Sequence, residues 1–146
     1  MKKLNFLFFI VLISLFGCEI KKEDMNKQKE VKEEFVMYTP SEMTLLMRDM
    51  FVFQEASKKL IEKGALPKKF PERFKQIHTA ELSDQFTHNT SFQNFTNLYF
   101  RNIENLDNST KESVKNNFNI AIQSCIACHK TTCTGPITRI KKLLIE

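Results

Sequence analysis

The chain has 146 residues and a formal net charge of +5, with 42% hydrophobic and 27% charged residues. That length allows one ordinary domain and leaves no room for a second of full size. The positive charge comes from scattered lysines and forms no basic stripe, so it does not mark a nucleic-acid-binding protein.

The first residues read as an export signal. Lys2 and Lys3 form a basic start, residues 4–16 are almost wholly apolar, and Gly17 precedes Cys18. An apolar run of about 13 residues suits a secretory leader and is short for a bilayer span. Leu15-Phe16-Gly17-Cys18 resembles the lipobox of bacterial lipoproteins. The resemblance implies cleavage after residue 17 and a lipid on Cys18, so that the mature chain is anchored to a membrane and faces the periplasm or cell surface. Loss of Lys2 and Lys3 lowers the charge from +5 to +3. Residues 18–38 are rich in Lys and Glu and poor in apolar side chains, and read as a flexible tether.

From there residues 39–146 read as one helical domain. Ser41 is an N-cap for a helix over 42–63, and Gly64 is its stop. Its apolar stripe is Met43, Leu46, Met47, Met50, Phe53, Leu60 and Ile61, spaced at three and four. A Pro- and Lys-rich connection leads to a second helix, from Pro71 to about Leu82, with Phe70, Phe74 and Ile77 turned inward. Residues 83–90 are polar and read as a loop. A third helix runs over 92–106, with Phe92, Phe95, Tyr99, Ile103 and Leu106 on one face. Asn108 or Ser109 caps a fourth, which runs to about Lys130 with Val114, Phe118, Ala121, Ile122, Cys125 and Cys128 on its face. Gly135 and Pro136 end that segment, and a short helix over 137–145 carries Arg139, Lys141 and Lys142. No segment alternates as a strand does. The expected fold is all-α, an antiparallel four-helix bundle whose last long helix carries the chemistry.

That chemistry lies in Cys125-Ile126-Ala127-Cys128-His129. C-x-x-C-H is the pattern of covalent haem attachment. On a helix the positions i, i+3 and i+4 share a face, so two thiols and an imidazole stand over one patch. Two thioethers could hold one haem c while His129 coordinates the iron. Three other readings compete. A redox dithiol normally opens a helix after a strand, and none is evident. A zinc site of Cys125, Cys128, His129 and Cys133 lacks a second ligand pair and is awkward for adjacent ligands. An iron–sulfur cluster wants four thiolates, and three lie together. With lipid on Cys18 and haem on the next two, Cys133 is left single.

C-x-x-C-H near the end of a helical domain, with a long helix upstream, resembles the class II cytochromes c, which comprise the cytochrome c′ family and its Met-ligated relatives. The architecture covers roughly residues 41–146, and the strict motif only Cys125, Cys128 and His129. The resemblance implies a four-helix bundle with the haem on the last helix, thioethers at Cys125 and Cys128, His129 as the proximal iron ligand, and the opposite ligand drawn from the first helix. It also implies a homodimer as one option. This chain departs from the family after the motif. Thr132 and Cys133 stand where members often carry an aromatic and a basic residue, so the propionate partner is open, with Arg139 or Lys141 as candidate cations.

The ligand opposite His129 decides the chemistry. Met47 is the first choice from the stripe, with Met43 next. A thioether on the iron suits electron transfer, whereas a stripe of methionines is also an ordinary core feature. With no methionine bound, the iron would be open to nitric oxide or carbon monoxide. His78 and His88 are lesser candidates. The expected function is therefore a lipid-anchored monohaem electron carrier, an enzyme in no bond-making sense, working with an unidentified redox partner protein. The rivals are a gas-binding haem protein and a structural or partner-binding lipoprotein without haem.

Overall fold

Three long helices and two short helical pieces account for all the regular structure among the described residues, with no strand among them. The computed structural model describes residues 38–83 and 85–146. The leader, Cys18 and the tether up to Met37 lie outside those residues. No helix among the described residues is long and apolar enough to cross a membrane.

Helix α1 is Glu42–Glu62. Ser41 caps it in extended conformation, its Oγ accepting from the Thr44 N–H. Glu42 lies in the first turn and Lys59 in the last, which suits the helix dipole. Gly64 takes φ +75°, where a side chain would be strained, and the Gly64 and Ala65 N–H groups close the end on Ile61 and Leu60. The buried stripe of α1 is Met43, Leu46, Met50, Gln54, Ser57 and Ile61. Phe53, Leu60 and Met47, expected on that stripe, are half-buried at its edges.

The second helix differs from the expectation. It is a 3-10 helix of seven residues, Glu72–His78. The chain leaves helical form after His78 because its backbone is used elsewhere. The Met43 N–H donates to the Glu81 carbonyl, and the Glu81 N–H donates to the Glu42 carboxylate. Residues 79–82 thus close the start of α1 instead of extending a helix. Phe74 and Ile77 still point inward as expected, both buried.

Helix α2 is Thr90–Asp107, capped by Asn89, whose Oδ1 accepts from the Phe92 N–H at 2.9 Å. Helix α3 is Val114–Thr131. It starts later than expected, because Asn108 and Ser109 serve the end of α2, bonding back to Glu104 and Asn105. The Asn102 side chain reaches Ser124, and Asn117 reaches back to Asn105 and Ser109. These contacts step down one helix as they step up the other, so α2 and α3 form a hairpin. Phe118, Ala121 and Ile122 are fully buried along its seam. Each large apolar side chain sealed in this way stabilises by roughly 1.5–3 kcal/mol.

Helix α1 joins that hairpin through side chains. Phe53, Phe70 and Phe74 form an aromatic cluster with Tyr99, its ring centroids 5.1 to 5.8 Å apart. The Phe70 N–H donates to the Asp107 carboxylate, which pins the loop after α1 to the end of α2. The last helix, α4, is Ile137–Lys141, shorter than the expected 137–145. Just past its end the Lys142 and Leu144 carbonyls accept from Lys58 Nζ, and the Asn119 amide bonds both the N–H and the C=O of Ile145. Those partners draw the chain end out of helical form.

Candidate functional site

Cys125, Cys128 and His129 occupy the last two turns of α3, all three half-buried. Between them Ile126 points into the core at 3% exposure. Both thiols pack against the core cluster, so the cysteine face of α3 looks toward the other helices. No disulfide links them, and Cys133 is also a free thiol.

The electrostatics of the two sulfurs are distinctive. Burial, with the nearby Cys128 sulfur second, pushes the Cys125 thiol up to about 12. Burial also raises Cys128, against a hydrogen bond from Thr132 that pulls the other way. A redox dithiol draws on a lowered thiol pKa, the opposite shift. Both sulfurs therefore stay as S–H at neutral pH, and Cys125 Sγ donates weakly to the Ala121 carbonyl at 3.5 Å.

His129 is fixed by a single contact. Its Nδ1 lies 2.8 Å from the Cys133 carbonyl oxygen. A carbonyl only accepts, so Nδ1 is the donor, and in the neutral ring Nε2 is then the nitrogen that carries the lone pair. That arrangement of a backbone carbonyl on the far nitrogen is the usual support of a metal-ligating histidine. Cys133, left single in the sequence, supplies its backbone here.

The remaining candidates are placed as follows. Met43 and Met50 are buried on α1, while Met47 is half-buried and packs against the core edge. Arg139 is exposed, with its guanidinium over the Phe51 ring at 4.0 Å, which sets α4 beside the middle of α1 one turn beyond Met47. Lys141 is exposed beside it. His78 is exposed and stacks on Phe100 at 5.3 Å, and His88 packs edge-on to Phe92. Among the described residues no group of three or more His, Cys, Asp or Glu side chains converges, so the zinc set of Cys125, Cys128, His129 and Cys133 is not assembled.

Two residues complete the neighbourhood, Gln54, which has no place in the apolar stripe, and Tyr99, expected only as part of the apolar face of its helix. Gln54 of α1 donates from Nε2 to the Tyr99 hydroxyl of α2 at 2.9 Å, both side chains buried. Burial holds the Tyr99 hydroxyl well above its usual range, and the Cys125 sulfur is the next contributor. A glutamine at helical spacing from Met50 and Ile61 was the available signal, but polarity hid it from a stripe drawn on hydrophobic residues.

Whether these residues fit a haem can be tested on donor chemistry and on space. The donors fit: two protonated thiols one turn apart and an imidazole with Nε2 unspent. Space is a different matter. A cleft of about 1110 Å³ lies between the end of α1 and the start of α3, lined by Ile61, Val114, Leu144, Ile145 and several lysines. Another, along α1 and α4, is lined by Phe51, Glu55, Arg139 and Leu143 among others. Neither is lined by Cys125, Cys128 or His129. A macrocycle seated on the thiols would have to part the cysteine face of α3 from the side chains packed on it.

Compared with family models, curated proteins and solved structures, the chain matches none.

Proposed function

We propose that this protein is a monohaem c-type cytochrome, lipid-anchored through Cys18, that carries single electrons outside the cytoplasm. The observation that carries the proposal is the His129 contact. Within a C-x-x-C-H run, the histidine has its Nδ1 spent on the Cys133 carbonyl, which leaves Nε2 as the ring nitrogen available to a metal. Cys125 and Cys128 would hold the haem as thioethers, each S–H adding across a vinyl C=C with no net redox change. His129 Nε2 would face the iron. When bound, the haem supplies a one-electron iron couple whose potential answers to ligand and burial.

The architecture under this reading is an antiparallel four-helix bundle in which the 3-10 helix Glu72–His78 stands in for the fourth helix. The α2–α3 hairpin supports it, as do the contacts of α1 with both. Met47, and next Met43, are the α1 methionines that would offer a thioether sulfur to the iron. The Arg139 guanidinium would serve a propionate by leaving its stack on Phe51. The partner is a redox protein, and a homodimer fits the same reading.

The experiment is expression of the full chain with a haem-ligation system, read by mass and visible spectrum. One covalent haem and a Soret band are the expected result. An apo mass and no Soret band overturn it, and the chain then reads as a tethered helical partner-binding domain. The far-red charge-transfer band of a methionine–iron(III) pair separates electron transfer from gas binding. Met47→Ala, and Met43→Ala beside it, should abolish that band and open the iron to carbon monoxide if the altered residue is the ligand.

A further inference from the structure

The cleft of about 1110 Å³ between the end of α1 and the start of α3 has a lining that the residues at the other end of α3 do not explain. Its floor is apolar. Ile61 and Val114 are buried there, and Leu144 and Ile145 are half-buried. Its rim carries five lysines, Lys58, Lys111, Lys115, Lys141 and Lys142, against two glutamates, Glu62 and Glu146. A pocket for a small apolar molecule is lined mostly by apolar side chains with a few polar ones, and this lining is the reverse.

The lysines divide into two sets. Lys58 Nζ donates to the Lys142 and Leu144 carbonyls at 2.9 Å and lies 3.7 Å from the Glu62 carboxylate, so it holds one wall of the cleft together. Lys115 Nζ donates to the Glu146 carbonyl. The other three, Lys111, Lys141 and Lys142, are exposed and form no ion pair among the described residues. Three unpaired ammonium groups about one concave surface repel one another. Low-dielectric walls then focus their field on an anion that enters.

We propose that this cleft docks an acidic, partly apolar segment of a partner protein. Its carboxylates would meet Lys111, Lys141 and Lys142, and its apolar side chains would cover Ile61, Val114, Leu144 and Ile145. Charge complementarity and shape choose this occupant. An extended segment can fill a concave cleft, whereas a flat bilayer surface meets only the rim. A small inorganic anion would use the lysines and leave the apolar floor in water. Each exposed ion pair changes affinity by about fivefold at most, so the docking is modest and weakens with salt. Val114 opens α3 at the cleft, and His129 lies about 22 Å further along the same helix. The proposal therefore needs neither the thiols nor a metal, and it stands or falls apart from the haem reading.

The test is a titration of the full chain, held in neutral detergent micelles and followed by amide NMR, with a short peptide of alternating Glu and Leu. The expected result is saturable binding that shifts the amides of Val114, Leu144 and Ile145 and weakens as salt is raised. A Lys–Leu peptide should not bind, and a Glu–Ser peptide should bind more weakly for want of the apolar contact. Lys111→Glu, Lys141→Glu and Lys142→Glu together should weaken the Glu–Leu peptide about tenfold or more, as three reversed pairs imply. Reversing three exposed cations outside both clefts, Arg48→Glu, Arg101→Glu and Lys130→Glu, should have a much smaller effect, which separates the cleft from net charge. All six side chains are exposed, so both variants should keep the parent's far-UV spectrum. No binding of the Glu–Leu peptide, or equal weakening by the two triple variants, overturns the proposal. The same amide shifts from inorganic phosphate alone overturn it by making the cleft a small-anion site. Stronger shifts from phosphatidylglycerol doped into the micelles overturn it by making the face a lipid surface. The haem reading is decided separately, by mass.

Discussion

Replacing Phe74 by alanine tests whether the 3-10 helix is a core element or a loop draped over one. Phe74 is fully buried and stands 5.7 Å from Phe53 and 5.1 Å from Phe70, which itself stands 5.8 Å from Tyr99, so it ties the connection after α1 to α1 directly and to α2 through Phe70. Returning a fully buried Phe side chain to water costs about 2–3 kcal/mol. The cavity left behind and the lost edge contacts bring the total to about 3–5 kcal/mol. A domain of this size is stable by roughly 5–15 kcal/mol, so the variant should lose about a fifth or more. Urea unfolding of the haem-free protein is the assay. The midpoint should fall with little change in slope, since the same surface is exposed on unfolding. Phe74→Leu fills part of the space and should cost about 1 to 1.5 kcal/mol. A loss under about 1 kcal/mol for Phe74→Ala would refute the reasoning, because it would mean the segment detaches without disturbing the helices.

Two further outcomes are expected. Cys125 is held up at about 12 against an ordinary 9.0, so its unfolded form loses its proton first. Its contribution is fully present below pH 9 and is lost as pH rises toward 12, so the haem-free parent should lose more stability across that window than Cys125→Ala does. Equal alkaline loss in the two proteins would contradict the buried-thiol description. Asn119→Ala removes both bonds to Ile145, at 2.8 and 2.9 Å, and should cost about 1–3 kcal/mol while speeding amide hydrogen exchange at Ile145. Exchange there as slow as in the parent would show that apolar packing of Leu143 and Leu144 holds the chain end by itself.

Local signals in this chain were strong where the chemistry is local. Ser41 and Gly64 bounded α1 because a cap and a left-handed stop need only their own neighbours. The face of α3 from Val114 to Cys128 was legible from spacing, and the motif put Cys125, Cys128 and His129 on one side of a helix without any tertiary information. The errors fall where a distant group competes for the backbone. Residues 79–82 carry no strong helix breaker, yet Glu42 and Met43 take the backbone of Glu81. Residues 142–145 look helical, yet Lys58 and Asn119 take their carbonyls.

What the sequence alone determined is a set of amphipathic helices and a residue pattern suited to a covalently held haem, because periodicity and spacing are properties of neighbours along the chain. Only the folded arrangement decided the rest. It spent His129 Nδ1 on the Cys133 carbonyl, added Gln54 and Ser57 to the buried α1 stripe while leaving Met47 and Phe53 at its edge, and brought Gln54 against Tyr99. Each of those joins groups by contacts that no local pattern encodes, and burial then fixes their protonation and their unmet hydrogen bonds.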